Sequence, residues 1–100
     1  MTSCHINDNC KVIYGESFND CKNLINVTIP DSVVSIGDWA FNGCSKLTVF
    51  YKGTIEEWKK ISINNYLNLD EILYYYSENK PTDDGNYWHY DTDGVTPVIW

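Results

Sequence analysis

A 23-residue internal repeat constrains the fold of this chain more than any other feature. Ser17-Phe-Asn-Asp-Cys-Lys-Asn-Leu24 and Ala40-Phe-Asn-Gly-Cys-Ser-Lys-Leu47 agree at four of eight positions: Phe18/Phe41, Asn19/Asn42, Cys21/Cys44 and Leu24/Leu47. Continued forward, the same register sets Val27 against Phe50. Continued backward, it sets Ile36-Gly-Asp-Trp-Ala-Phe41 against Ile13-Tyr-Gly-Glu-Ser-Phe18, with the glycine displaced by one place. Fixed apolar offsets at a period of about 20 to 29 residues belong to solenoids, whose rungs bury their apolar sides only against neighbouring rungs.

Within one rung, Leu24, Val27 and Ile29 are expected to point inward. Pro30-Asp31-Ser32 turns the chain, Val33 and Ile36 return inward, and Ala40-Phe41 fills the core. Asn26 and Thr28 then face outward. By the 23-residue register their neighbours on the next rung are Val49 and Tyr51, and these four residues are the expected partner-binding face.

Val27-Thr-Ile-Pro-Asp-Ser-Val-Val-Ser-Ile-Gly-Asp-Trp-Ala-Phe-Asn-Gly-Cys-Ser-Lys-Leu47 resembles the BspA-type leucine-rich repeat, whose rungs read roughly L-x-x-V-x-I-P-x-x-V-x-x-I-G-x-x-A-F-x-x-C. The resemblance spans one full rung and, with weaker copies, residues 12 to 53. Tyr51-Lys-Gly-Thr-Ile-Glu-Glu-Trp-Lys-Lys60 resembles the segment that often closes such arrays. The first copy departs in lacking the Ile-Pro turn, and the second strand departs in ending on Lys52-Gly53. The resemblance implies a non-enzymatic protein-binding module, since relatives act as adhesion and host-interaction repeats on cell surfaces.

After Gly53 the repeat fades. Thr54-Ile-Glu-Glu57 is a capping box, with Ile55, Trp58 and Ile61 on one side of a short helix. Leu73-Tyr-Tyr-Tyr76, Tyr87-Trp-His-Tyr90 and Val95-Thr-Pro-Val-Ile-Trp100, separated by Asp84-Gly85 and Asp93-Gly94, read as three antiparallel strands closing the last rung. The expected architecture is one β-rich domain. A leucine-rich-repeat solenoid with its N-terminal cap occupies residues 1–53, and a C-terminal cap of one helix and a small antiparallel sheet occupies residues 54–100. Met1 to Asn9 reads as a frayed polar terminus, with Ile6 helping to cover the first rung. The open first rung also leaves room for a homodimer.

Charge narrows the partners. The chain has 14 acidic residues against 7 basic ones, and all seven are lysine, so no guanidinium is available for bidentate recognition of phosphate or guanine. Direct nucleic-acid binding is not expected. Apolar residues make up 43% of the chain, which suffices for a core, but no run is long enough to insert into a membrane. Asp70, Glu71, Glu78, Asp83, Asp84, Asp91 and Asp93 crowd the last third. They motivate a second reading, a small acidic inhibitor seated in the basic groove of a nucleic-acid-handling enzyme. The opening residues lack a basic segment followed by an apolar one. An intact chain is therefore expected in the cytoplasm, and a piece of a longer repeat protein at the cell surface or secreted.

Other candidate chemistry is thin. Cys21 and Cys44 occupy one slot of successive rungs, so Cys4, Cys10, Cys21 and Cys44 are expected as core thiols. Cys4, His5 and Cys10 lack the paired spacing of a zinc site. Asp91-Thr-Asp-Gly94 opens like a calcium loop but lacks the closing glutamate, so a hairpin turn is the reading. His89 and Asp91 share a strand face without an evident nucleophile, and Asn26-Val27-Thr28 matches a glycosylation acceptor only by its short pattern. No cofactor is expected. Fifteen aromatics, ten of them from Tyr51 onward, offer Tyr75, Tyr87 and Trp88 as interface anchors.

Overall fold

The computed structural model describes residues 3–15, 18, 21–37, 40–41, 43–44, 46–63 and 72–100. The expected acids Asp70 and Glu71 lie outside the described residues. In chain order the elements are β1 (Ser3–His5), β2 (Val12–Ile13), β3 (Asn26–Ile29), β4 (Ser35–Ile36), β5 (Thr48–Tyr51), α1 (Ile55–Lys59), β6 (Ser62–Ile63), β7 (Leu73–Tyr76), β8 (Tyr87–Tyr90) and β9 (Pro97–Ile99). They build a six-stranded sheet ordered β1-β3-β5-β7-β8-β9 and a three-stranded sheet ordered β2-β4-β6. Every pairing is parallel except that of β8 with β9.

The chain therefore winds from one sheet to the other and back, each rung placing one strand in each sheet. Between the sheets, the residues read as inward pack together. Leu24, Val27 and Ile29 are fully buried, Val33 and Ile36 are 2% exposed, and Ala40 and Phe41 are buried beside them. Each of these side chains except Ala40 contributes about 1.5–3 kcal/mol by leaving water. The Phe18 and Phe41 rings stack at 5.2 Å and 6°. Phe18 N donates to Ala40 O at 2.8 Å, so the two repeat copies lie directly on one another. At Gly37 the rungs touch backbone to backbone, and a Cβ there would collide with Gly15 N. Only glycine fits this contact.

The repeat does not keep step at 23. Strands β3 and β5 pair Asn26 with Thr48, Val27 with Val49, Thr28 with Phe50 and Ile29 with Tyr51, an offset of 22. Leu24-Ile-Asn-Val27 has two residues between its apolar ends, whereas Leu47-Thr-Val49 has one. Because strand side chains alternate, this single deletion exchanges the faces. Val49 and Tyr51, expected outside, are 0% and 1% exposed in the core, while Thr48 and Phe50 take the outer face.

Three further expectations change. Ser3–His5 is not frayed: it pairs in parallel with β3, and Ile6 N donates to Thr28 O at 3.0 Å. The helix α1 has its full capping box on Thr54 and Glu57 and buries Trp58. It is followed by β6 and β7, each of which extends a sheet, so it crosses between stacked rungs and does not end the stack. The third change is that Leu73–Tyr76 pairs in parallel with both β5 and β8, which leaves β8–β9 as the antiparallel pair.

Tyr51 stacks edge-on against Trp58 at 5.0 Å. Burial first, and then the charges of Glu57 and Asp31, pushes its phenol up to about 12. The folded chain thus favours the neutral phenol. That contribution to stability is complete below the ordinary tyrosine value of 10.0 and is lost as pH rises toward about 12. Ultraviolet titration is expected to show the last of the eight tyrosines ionising together with loss of the fold. Ionisation of all eight while the chain stays folded would contradict this burial.

Candidate functional site

The six-stranded sheet curls until its first and last strands approach. Although β1 and β9 stand at opposite ends of the strand order, residues of both line one groove of about 590 Å³. Asn26 and Thr28 on the outer face of β3 line it together with Ser3 and His5 of β1 and the Gly94–Pro97 turn, and Asp8, Lys52 and Tyr90 complete it.

The turn that shapes one wall is built by aspartates. Asp93 Oδ1 accepts from Val95 N at 2.8 Å and Thr96 N at 2.9 Å, Asp93 Oδ2 accepts from Thr96 Oγ1 at 2.6 Å, and Gly94 takes φ 71°. Bonds from the Thr96 hydroxyl, then from the Thr96 and Val95 amides, hold the Asp93 carboxyl below its usual value. The Asp91–Gly94 segment is thus a turn. Among the described residues there is no cluster of three metal-ligating side chains.

Across from it, Lys52 Nζ donates to Asp8 Oδ1 at 3.1 Å, with His5 Nε2 3.6 Å from the same oxygen. The Lys52 hydrogen bond, then its charge, lowers the Asp8 carboxyl. Burial pulls Lys52 down, but Asp8 and Tyr90 outweigh it and leave the ammonium raised. Lys52 Nζ lies 5.8 Å from the Tyr90 ring centroid. The Tyr90 ring meets Trp88 edge-on at 4.9 Å.

Of the expected binding face, Asn26 and Thr28 line the groove, whereas Val49 and Tyr51 are in the core. The aromatic expectation also needs correction. Trp88 is 0% exposed, packed on Phe50 at 5.4 Å, and donates from Nε1 to Tyr51 O at 2.7 Å. Tyr75 packs against the core, and Tyr87 donates its hydroxyl to Asp83 Oδ2 at 3.0 Å. Trp88 thus covers Phe50 on the outer side of β5. Among the acids, Glu78, Asp83, Asp84, Asp91 and Asp93 are exposed, but Asp83, Asp91 and Asp93 accept hydrogen bonds from their own turns.

His89 stacks on Trp100 at 3.8 Å and its Nδ1 lies 2.9 Å from Tyr90 O, while Asp91 Oδ1 accepts from Thr92 N. The pair is thus engaged elsewhere. The four cysteines are half-buried thiols. Burial, then the neighbouring Cys21, raises the Cys4 thiol, which favours its protonated form. Cys44 Sγ donates to Phe18 O at 3.1 Å and Cys10 Sγ to Val12 O at 3.3 Å, so the sulfurs serve rung packing. Asn26 of the acceptor tripeptide sits mid-sheet, paired with both Ser3 and Thr48.

Asp8, Lys52 and Tyr90 were not anticipated as a group. They are 44 and 38 residues apart in sequence and match no short motif. The outward alternation of Phe50 and Lys52 was the available signal, and it was masked by the shifted register.

A model of the BspA-type leucine-rich repeat region, six copies long, matches residues 1–84. The chain belongs to the BspA-type leucine-rich repeat family. The match takes in β1 and β7, the strands that the sequence alone had assigned to a frayed terminus and to a cap. No curated protein and no solved structure matches the chain significantly. BspA-type repeats are generally non-enzymatic, mediate protein interactions, and occur in surface or secreted proteins. Among the described residues, no helix of this BspA-type chain is long and apolar enough to cross a membrane.

Proposed function

We propose that this BspA-type chain is a non-enzymatic protein-interaction module whose partner docks on the β8–β9 hairpin. One observation carries the reading: Val95, Ile99 and Trp100, 74%, 48% and 41% exposed, gather within the last six residues. Asp91 and Asp93 lie on the same turn as Val95. Exposed apolar side chains with a charged rim are how interfaces look before their partner arrives. The complementary surface is an apolar hollow with basic edges.

The outer face of the repeat supports a smaller role than its four expected residues suggested, because Val49 and Tyr51 are buried in the core and Trp88 of the tail packs on Phe50. The acidic-inhibitor reading keeps its exposed carboxylates, but a contact made by charge alone gives no part to Val95 and Ile99. Against a partner captured by the whole chain, Val95→Asp with Ile99→Asp is expected to weaken binding at least about tenfold while thermal unfolding stays near that of the parent. Affinity unchanged by these substitutions but collapsing with added salt would favour the inhibitor reading instead.

A further inference from the structure

We propose that the groove between β1 and the β8–β9 turn is a binding site for one neutral sugar residue. Its volume of about 590 Å³ lies within the range of small-ligand sites, roughly 300–1,000 Å³.

The charge balance disfavours ionic ligands. Lys52 is matched by Asp8 at 3.1 Å. An incoming anion or cation would have to compete with an ion pair already formed. A hydroxyl group has no such difficulty, since it donates and accepts at once. Asp8 offers a carboxylate acceptor, Lys52 an ammonium donor, and Asn26 an amide with both characters, all lining one space. Hydroxyls of a pyranose can therefore meet such donors and acceptors without breaking the Asp8–Lys52 pair.

The apolar part fits the other side of a sugar. Tyr90, Val95 and Pro97 line the same groove, and a ring or aliphatic wall packs on the C–H face that a pyranose presents between its hydroxyls. The walls are held in advance. Trp88 fixes Tyr90 by edge contact, Asp93 ties the turn, and Thr28 is 4% exposed in a strand paired on both sides. Such preorganisation limits the entropy lost on binding.

The groove shares Val95 with the proposed docking surface, whereas Ile99 and Trp100 do not line it, so a substitution at Ile99 separates the two sites. The test is titration of the isotope-labelled full chain with glucose, galactose, mannose and N-acetylglucosamine, followed by amide shifts in two-dimensional NMR. At least one sugar is expected to give saturable shifts at Asn26, Thr28, Lys52 and Val95. Asp8→Asn and Asn26→Ala are each expected to weaken it by about tenfold, and Ile99→Asp to leave it unchanged. Asp8 is exposed, so its variant keeps the fold, which thermal unfolding verifies. The absence of saturable shifts with all four sugars, or shifts that survive both groove substitutions, would overturn the proposal. So would groove shifts produced by a peptide library and by none of the sugars.

Discussion

Val49→Asp is expected to leave the chain unfolded at room temperature, whereas Thr48→Asp, one residue earlier, is expected to cost about 1 kcal/mol or less. Val49 is 0% exposed, and its strand neighbours Val27 and Leu73 are 0% and 2% exposed. A carboxylate there loses the burial of a valine and gains neither a partner nor water, for a penalty of about 5 kcal/mol or more. Small domains have about 5–15 kcal/mol in all. Thr48 is half-buried on the opposite face, where an aspartate reaches solvent. Far-UV circular dichroism and urea unfolding of both variants measure the difference. Equal stability of the two would mean that the faces of β5 are misassigned.

The second large effect concerns the tail. Trp88→Ala is expected to destabilise the fold by about 4 kcal/mol, the usual cost of deleting a buried large aromatic, and to lower the melting temperature by roughly 15–30 °C. Trp88 is enclosed by Phe50, Tyr76 and Tyr90, and its Nε1 holds the carbonyl of Tyr51. Without the indole, that carbonyl and the ring of Phe50 face water, and the hairpin loses its anchor to β5. Trp88→Phe keeps most of the volume and loses the hydrogen bond, so its cost is expected nearer 1–2 kcal/mol. Protease cleavage within residues 77–100 is expected to accelerate in Trp88→Ala well before the repeat itself opens. Cleavage at the parent's rate would mean that the tail is held by something other than this ring.

What was legible in the sequence was the part set by local periodicity. Leu24, Val27, Ile29, Val33, Ile36 and Phe41 were placed inside from spacing alone, and Thr54 with Glu57 announced the helix start. The stacking of Phe18 on Phe41 follows from their shared slot. The register of β5 was not legible in the same way, because Cys21/Cys44 and Leu24/Leu47 agree on 23 while the strand that follows is one residue short. The identity Val27/Val49 at offset 22 was present, but it competed with four matches at 23.

The tail failed for a different reason. Asp93-Gly94 identified its turn correctly, but β7 and β8 are parallel and joined by a longer excursion. Aromatic runs do not reveal which neighbour they pair with. The groove exists only because the sheet curls, a long-range property that no residue in Asp8, Asn26, Lys52 or Tyr90 encodes alone.

Stacking of the rungs in the offset-22 register is the claim on which the face assignments rest, and through-hydrogen-bond scalar coupling tests it directly. Thr48 N donates to Ile25 O at 2.7 Å and Lys52 N to Ile29 O at 2.9 Å. A long-range HNCO spectrum is predicted to show cross-peaks for both pairs. Cross-peaks from Val49 to Ile25 and from Gly53 to Ile29, the connections of an unbroken 23-residue repeat, would contradict it.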